Sequence, residues 1–160
     1  MKDKMKNILD HMVRKESGFG IKSYKYAGDD VFELETPYSE YGPYRTFLRY
    51  EPNNSMDMFR VEVRHIFASI NVRVDPTTAA SQLLTMLGMN VGSWQDTSGY
   101  LGIQSGNGEH YAVLNSYQHF VMKWNDEDIA EALLLLFFDM TTGLAVKDFS
   151  LTMLKEFSEE

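Results

Sequence analysis

The chain contains no cysteine, and this absence removes several kinds of chemistry at once. Disulfide bonds, thiol nucleophiles and cysteine-ligated zinc all need a residue that the sequence does not have. Long apolar runs are missing as well, because the apolar stretch 132–138 lies between Glu131 and Asp139 and is too short to cross a bilayer. No segment resembles a signal peptide, so we expect a cytoplasmic protein.

Positive charge is scarce. The 15 Lys and Arg residues against 23 Asp and Glu give a formal net charge of -8 at pH 7. Nucleic acids and anionic membranes bind proteins through concentrated positive charge, so we expect neither as a partner. The length of 160 residues and the hydrophobic fraction of 44% are typical of one globular domain, which we place over residues 1–160.

Catalytic patterns are absent too. No serine lies in a G-x-S-x-G sequence, and the glycines between residues 99 and 108 do not follow the spacing of a phosphate-binding loop. The 4 histidines are scattered, and His65 falls on an apolar strand face, where we expect a hydrogen-bonded core imidazole. We therefore expect a protein that is not an enzyme and that has no metal site and no cofactor.

The stretch Asn125 to Met140 is the element around which we expect the chain to be organised. Asn125 is placed to cap a helix, and the acidic residues 126–128 that follow suit the first helical turn. Every residue from 132 to 138 is apolar, which indicates a helix covered on two sides. We expect it to lie on a sheet, with its back covered by another helix, a second subunit or a client.

Hydrophobic periodicity predicts the remaining elements. Strands cluster between helices instead of alternating with them, so we predict an α+β fold with a single antiparallel sheet and helices packed on it. The predicted helices are 1–16, 76–88, 126–140 and an extra C-terminal helix, 144–157. The predicted strands are 19–26, 31–36, 45–51, 58–74, 93–97, 100–104 and 109–116.

The long strand 58–74 changes its pattern along its length. Phe59, Val61 and Val63 share one parity, but beyond His65 the apolar residues move to the other parity. Because side chains alternate between the two faces of a strand, this change predicts a bulge or a sharp bend within residues 64–69.

Charged residues of both signs alternate with the apolar ones on the predicted strands. We expect them to form cross-strand pairs on a solvated outer face. The arginines are Arg45, Arg49, Arg60 and Arg64, and the glutamates are Glu33, Glu35, Glu51 and Glu62.

The element order resembles the type III secretion chaperone-like fold and, within it, the YbjN-like bacterial proteins. The segments that carry the resemblance are Leu83 to Asn90 (LLTMLGMN), Gly92 to Ile103 (GSWQDTSGYLGI) and Asn125 to Met140. The resemblance implies an acidic homodimer that binds polypeptide without a cofactor. Secretion chaperones of this fold hold an extended effector segment in apolar grooves, whereas YbjN-like members are linked to regulation. The helix 144–157 is an addition to the usual plan.

We therefore expect a non-enzymatic module that holds a polypeptide partner through apolar and aromatic side chains. The 10 methionines and the tyrosine-rich segment 37–44 favour this function, because Met and Tyr suit adaptable binding surfaces. Two alternatives stay open: an immunity or inhibitor protein that masks a basic partner, and a small-molecule pocket under the tyrosine-rich segment. The expected partner-binding residues are Tyr38, Tyr41, Tyr44, Trp94, Trp124 and Phe138.

Overall fold

The structure is a computed structural model that describes residues 1–15, 20–36, 45–70, 100–106 and 109–140. Residues 67–70, 100–106 and 109–112 are described by their backbone only. The predicted elements 76–88, 93–97 and 144–157 lie outside the described residues. Among the helices in the described ranges, none combines the length and the apolar character that a membrane crossing requires.

The described strands form one antiparallel sheet of 6 strands in the order β1-β2-β3-β4-β6-β5. The predicted α+β class with a single antiparallel sheet is therefore confirmed, and the described helices are close to those predicted. The elements are α1 Lys2–Arg14, β1 Ser23–Gly28, β2 Val31–Glu35, β3 Arg45–Asn53, β4 Met58–Ile70, β5 Tyr100–Gly106, β6 Glu109–Val121 and α2 126–140.

One face of the sheet carries the hydrophobic core, and both α1 and α2 contribute to that core. Helix α1 buries the stripe predicted from its periodicity, while the strands contribute residues of alternate parity. Phe59 and Phe120 face each other across β4 and β6, with ring centroids 5.6 Å apart. The buried residues of α1 are Met5, Ile8, Leu9 and Met12, and those of the sheet include Phe32, Leu34, Leu48, Tyr50, Val61, Val63 and Leu114.

The predicted irregularity in the long strand is present. The pairing of β4 with β6 shifts register between Ile66 and Ala68, inside the predicted window 64–69. Phe59, Val61, Val63 and His65 are buried and the residues between them are not, as expected from the pattern before the bulge. A bulge lets the strand keep apolar residues on the same face after the parity of the sequence has changed.

The turn between β3 and β4 differs from its prediction. The third strand was predicted to end at residue 51, but β3 continues through Asn53 and the turn occupies residues 54–57. Proline usually stops a strand because it cannot donate to the ladder. Pro52 lies beyond Arg49, the last residue of β3 that pairs with β2. Its missing N–H therefore leaves no acceptor on β2 without a hydrogen bond.

Polar contacts tie α1 to β1 and to the start of α2. The hydroxyl of Tyr24 donates to Asp10 Oδ1 at 2.7 Å. Lys4 Nζ donates to the carbonyl of Trp124 at 2.9 Å and forms an ion pair with Asp126. Lys15 forms a second ion pair with Glu131. Burial, aided by the Asp10 carboxylate, raises the pKa of Tyr24 from 10.0 to about 12.

We predict that Tyr24 contributes stability that is lost in alkali. Its folded pKa is the higher one, so between pH 10 and pH 12 the unfolded chain loses the phenolic proton before the folded chain does. The free energy of unfolding should fall through this window, and the contribution of Tyr24 should be complete below pH 10. Tyr24→Phe should cost about 1 kcal/mol at pH 7 through the lost hydrogen bond. In urea titrations, the free energy of unfolding of this variant should also decline less above pH 10 than that of the wild type. A decline as steep as that of the wild type would contradict the assignment.

Candidate functional site

Helix α2 begins as the sequence predicts. The side-chain oxygen of Asn125 accepts a hydrogen bond from the backbone N–H of Glu127 at 2.9 Å, and its carbonyl accepts from the N–H of Ile129 at 3.1 Å. The carboxylates of Asp126 and Asp128 lie in the first turn, where they favour the exposed backbone donors. The start of α2 is therefore fixed both locally and by the contacts of Lys4.

The two sides of α2 have different surroundings. Its inner side is buried against the sheet, and the ring of Phe137 meets His65 edge-on at a centroid distance of 5.7 Å. Its outer side is not covered to the same degree, because Leu135 is 67% exposed and Phe138 is 43% exposed. The expectation that α2 lies on a sheet is met, but within the described part of the chain the back of the helix exposes Leu135 and Phe138. The buried residues are Ile129, Ala130, Leu133, Phe137 and Met140.

A groove runs between α2 and β6. Its volume is about 470 Å³ and it is open to solvent. Alanine, two leucines and an aspartate line the helical side, and a tyrosine and two polar residues line the strand side. A surface of this kind offers apolar contact area together with polar groups that can orient a ligand. The lining residues are Ser116, Tyr117, Gln118, Ala132, Leu135, Leu136 and Asp139.

The expected partner-binding residues are only partly brought together. Trp124 is 50% exposed and its ring lies 6.4 Å from that of Phe120, at the start of α2. Phe138 lies near the other end of the same helix. Tyr38, Tyr41, Tyr44 and Trp94 lie outside the described residues.

Sequence reasoning missed Leu135 and Tyr117, which is 53% exposed. A usable signal exists for Leu135. The charged positions 128, 131 and 139 mark a polar stripe on the helix, and residue 135 falls into that stripe at helical spacing. No comparable signal singles out Tyr117, because its exposure depends on what covers the outer face of the sheet.

The outer face of the sheet carries two cross-strand ion pairs of the expected kind. Arg45 contacts Glu33 at 2.9 Å and Arg60 contacts Glu51 at 2.8 Å, each across neighbouring strands. Arg64 contacts Glu62 at 3.1 Å along its own strand. The arginines are therefore largely compensated, which gives this face the mixed, solvated character that the sequence predicts.

His65 has a structural role. It is 5% exposed and its Nδ1 lies 2.7 Å from the hydroxyl of Thr46, which is also buried on the neighbouring strand. The prediction of a hydrogen-bonded core imidazole is confirmed. Burial and the nearby Asp30 carboxylate raise the pKa of another core residue, Tyr50, well above its usual value. Both groups are enclosed by the core, and neither faces the groove.

Comparison with known proteins adds no assignment. No protein-family model, no curated protein and no solved structure matches the chain. The class that the described fold and groove define is thus an α+β protein with an open apolar surface beside one helix.

We predict that Phe137→Ala and Leu135→Ala change the free energy of unfolding by different amounts, because the two residues lie on different sides of α2. Phe137 is 1% exposed, so truncating it leaves a core cavity and should lower the free energy of unfolding by about 3–5 kcal/mol. Leu135 is exposed, and its truncation should change stability by no more than about 0.5 kcal/mol. Urea denaturation of both variants measures the difference. Similar losses for the two would contradict the orientation of the helix.

Metal independence stays a prediction. Across the described residues, no three His, Cys, Asp or Glu side chains are grouped so that they could hold a metal ion. A ligand that binds only the folded state raises the melting temperature. Because we expect no zinc site, added zinc should leave the melting temperature unchanged. Differential scanning calorimetry with zinc, and then with added chelator, checks this. A chelator-reversible rise of several degrees would overturn it.

Proposed function

We propose that the chain is a non-enzymatic protein-binding module that holds a polypeptide partner in the groove between α2 and β6. The observation that carries this proposal is the exposure of Leu135, at 67%, in the middle of a helix whose other side is in the core. Isolated exposed leucines are common, but this one lies beside a groove and near the exposed ring of Phe138.

The chemistry of the groove suits a polypeptide. Leu135, Leu136 and Ala132 provide apolar surface, and the partly exposed Gln118 provides a hydrogen-bonding side chain on the strand side. Burying one leucine side chain contributes about 1.5–3 kcal/mol, and ordering of the partner offsets part of the gain. The groove therefore supports moderate affinity shared among several contacts.

The type III secretion chaperone-like fold is part of the same proposal. The order of one helix, four antiparallel strands, a strand pair and a closing helix in the described ranges supports it. In this proposal the groove takes the role of the apolar client surface, and the protein acts as a chaperone-like or regulatory binder. A homodimer is proposed with it, because the resemblance to that fold implies one.

The alternative of a small-molecule site under segment 37–44 receives less support. Segment 37–44 lies outside the described residues, and a cavity of about 340 Å³ lies at the end of β1, β2 and β3. Two of its carboxylates already accept hydrogen bonds, Glu33 from Arg45 and Glu35 from Ser23. Carboxylates that are engaged in this way are less able to orient a ligand.

The test uses capture of partners from the native cell by the wild type and two matched variants. Leu135→Gln removes an apolar side chain from the groove, whereas Met56→Gln removes one of similar exposure, 65%, from the turn between β3 and β4. Neither side chain is in the core, so both variants should stay folded, which thermal melting verifies. We expect a specific protein to be captured by the wild type and by Met56→Gln, and about tenfold less by Leu135→Gln.

Equal capture by Leu135→Gln would contradict the groove as the site. Failure of the wild type to capture any protein, together with a tight small-molecule ligand from a metabolite screen, would contradict the binding-module proposal. Light scattering at tens of micromolar protein tests the homodimer, because a monomer mass at that concentration would refute it.

A further inference from the structure

The open side of α2 carries a stripe of mixed character. Five exposed residues follow one another at spacings of four, three, four and three positions, so they lie along one line on the helix and its start. The two ends of the stripe are apolar and its middle is acidic. In order, the residues of this stripe are Trp124, Asp128, Glu131, Leu135 and Phe138.

The acidic part of the stripe is only partly compensated. Glu131 pairs with Lys15, but both side chains are well exposed, at 56% and 40%, so a competing cation can approach. Asp128 has no ion-pair partner among residues 1–15, 20–36, 45–70, 100–106 and 109–140. Glu127 is exposed on the same turn. The net charge of -8 adds a long-range attraction for cations.

We propose that the occupant of the groove is a basic amphipathic segment of a partner protein. Its apolar side chains pack against Leu135 and the exposed part of Phe138, and its lysine or arginine side chains lie beside Asp128 and Glu131. This inference rests on the proposed function and names the chemistry of the partner. The charge pattern sets the register, since the cationic part of the segment must lie beside the acidic middle of the stripe and its apolar part beside Leu135 and Phe138.

The same charges disfavour a second copy of the chain in the groove. A two-fold symmetric contact through α2 presents the same patch from both subunits. The carboxylates of Asp128 and Glu131 would then approach their own counterparts, and like charges across an interface lower affinity. A basic segment meets no such opposition.

The test uses two synthetic peptides of 18 residues with leucine at identical helical positions. One carries lysine at all remaining positions of its polar face, and the other carries glutamate there. Binding is measured by fluorescence anisotropy at low and at moderate salt. We expect the lysine peptide to bind the wild type at least about tenfold more tightly than the glutamate peptide, with an advantage that shrinks as salt is added.

Matched variants separate local charge from net charge. Asp128→Asn/Glu131→Gln removes two carboxylates from the stripe, and Glu35→Gln/Glu51→Gln removes two from exposed positions on the sheet. Both doubles change the net charge equally. The first should weaken binding of the lysine peptide by about fivefold, and the second by less than about twofold. Equal weakening by the two doubles would overturn the inference, because binding would then follow net charge alone.

The remaining outcomes distinguish this inference from the proposed function. If both peptides bind equally and Leu135→Gln abolishes both, the groove stands and the preference for a basic segment is wrong. If Leu135→Gln binds the lysine peptide like the wild type, the groove itself is wrong and both proposals fail. The inference is also overturned if neither peptide binds. It is overturned as well if the wild type is a homodimer that Leu135→Gln converts to a monomer.

Discussion

Burial of two helices on one face of a single sheet is the interaction on which the described structure depends. Met5, Ile8 and Leu9 of α1 share one cluster with Phe59 and with the inner residues of α2. Apolar burial of this kind is the dominant favourable term in folding, and it is not directional. Directional contacts therefore have to set the orientation of each helix. The ion pairs of Lys4 and Lys15 and the cap at Asn125 supply them for α2.

Helix α2 serves the core and the proposed site with different residues. Phe137 and Leu133 face the sheet, whereas Leu135 faces solvent beside the groove. Since these side chains do not share surroundings, changes on the open side are expected to be nearly additive with changes in the core. Partner choice can then vary while the fold is kept. The two faces of the sheet differ in the same sense, with an apolar inner face and an outer face of arginine and glutamate pairs.

Much of the described fold was open to prediction because its causes are local. The stripe of α1, the cap at Asn125 and the bulge near Ile66 each follow from spacing within a short stretch of chain. The site was less predictable. Trp124 and Phe138 were expected as exposed binding residues and are exposed, but Leu135 and the groove were not anticipated. The end of β3 was also predicted wrongly. Pro52 interrupts the ladder only where β2 presents an acceptor opposite it, and this depends on where β2 ends.

The sequence by itself determined the α+β class, the residues that alternate on the long strand, and the residue at which α2 begins. These follow from periodicity and capping, which act over a few residues. The tertiary structure decided how deeply each side of α2 is covered. The charged positions 128, 131 and 139 indicate the side that faces solvent, but the burial of Ile129, Leu133 and Phe137 depends on their fit to the sheet. That fit leaves Leu135 in solvent and opens the groove to β6, whose residues are adjacent to α2 in space because β6 pairs with β4.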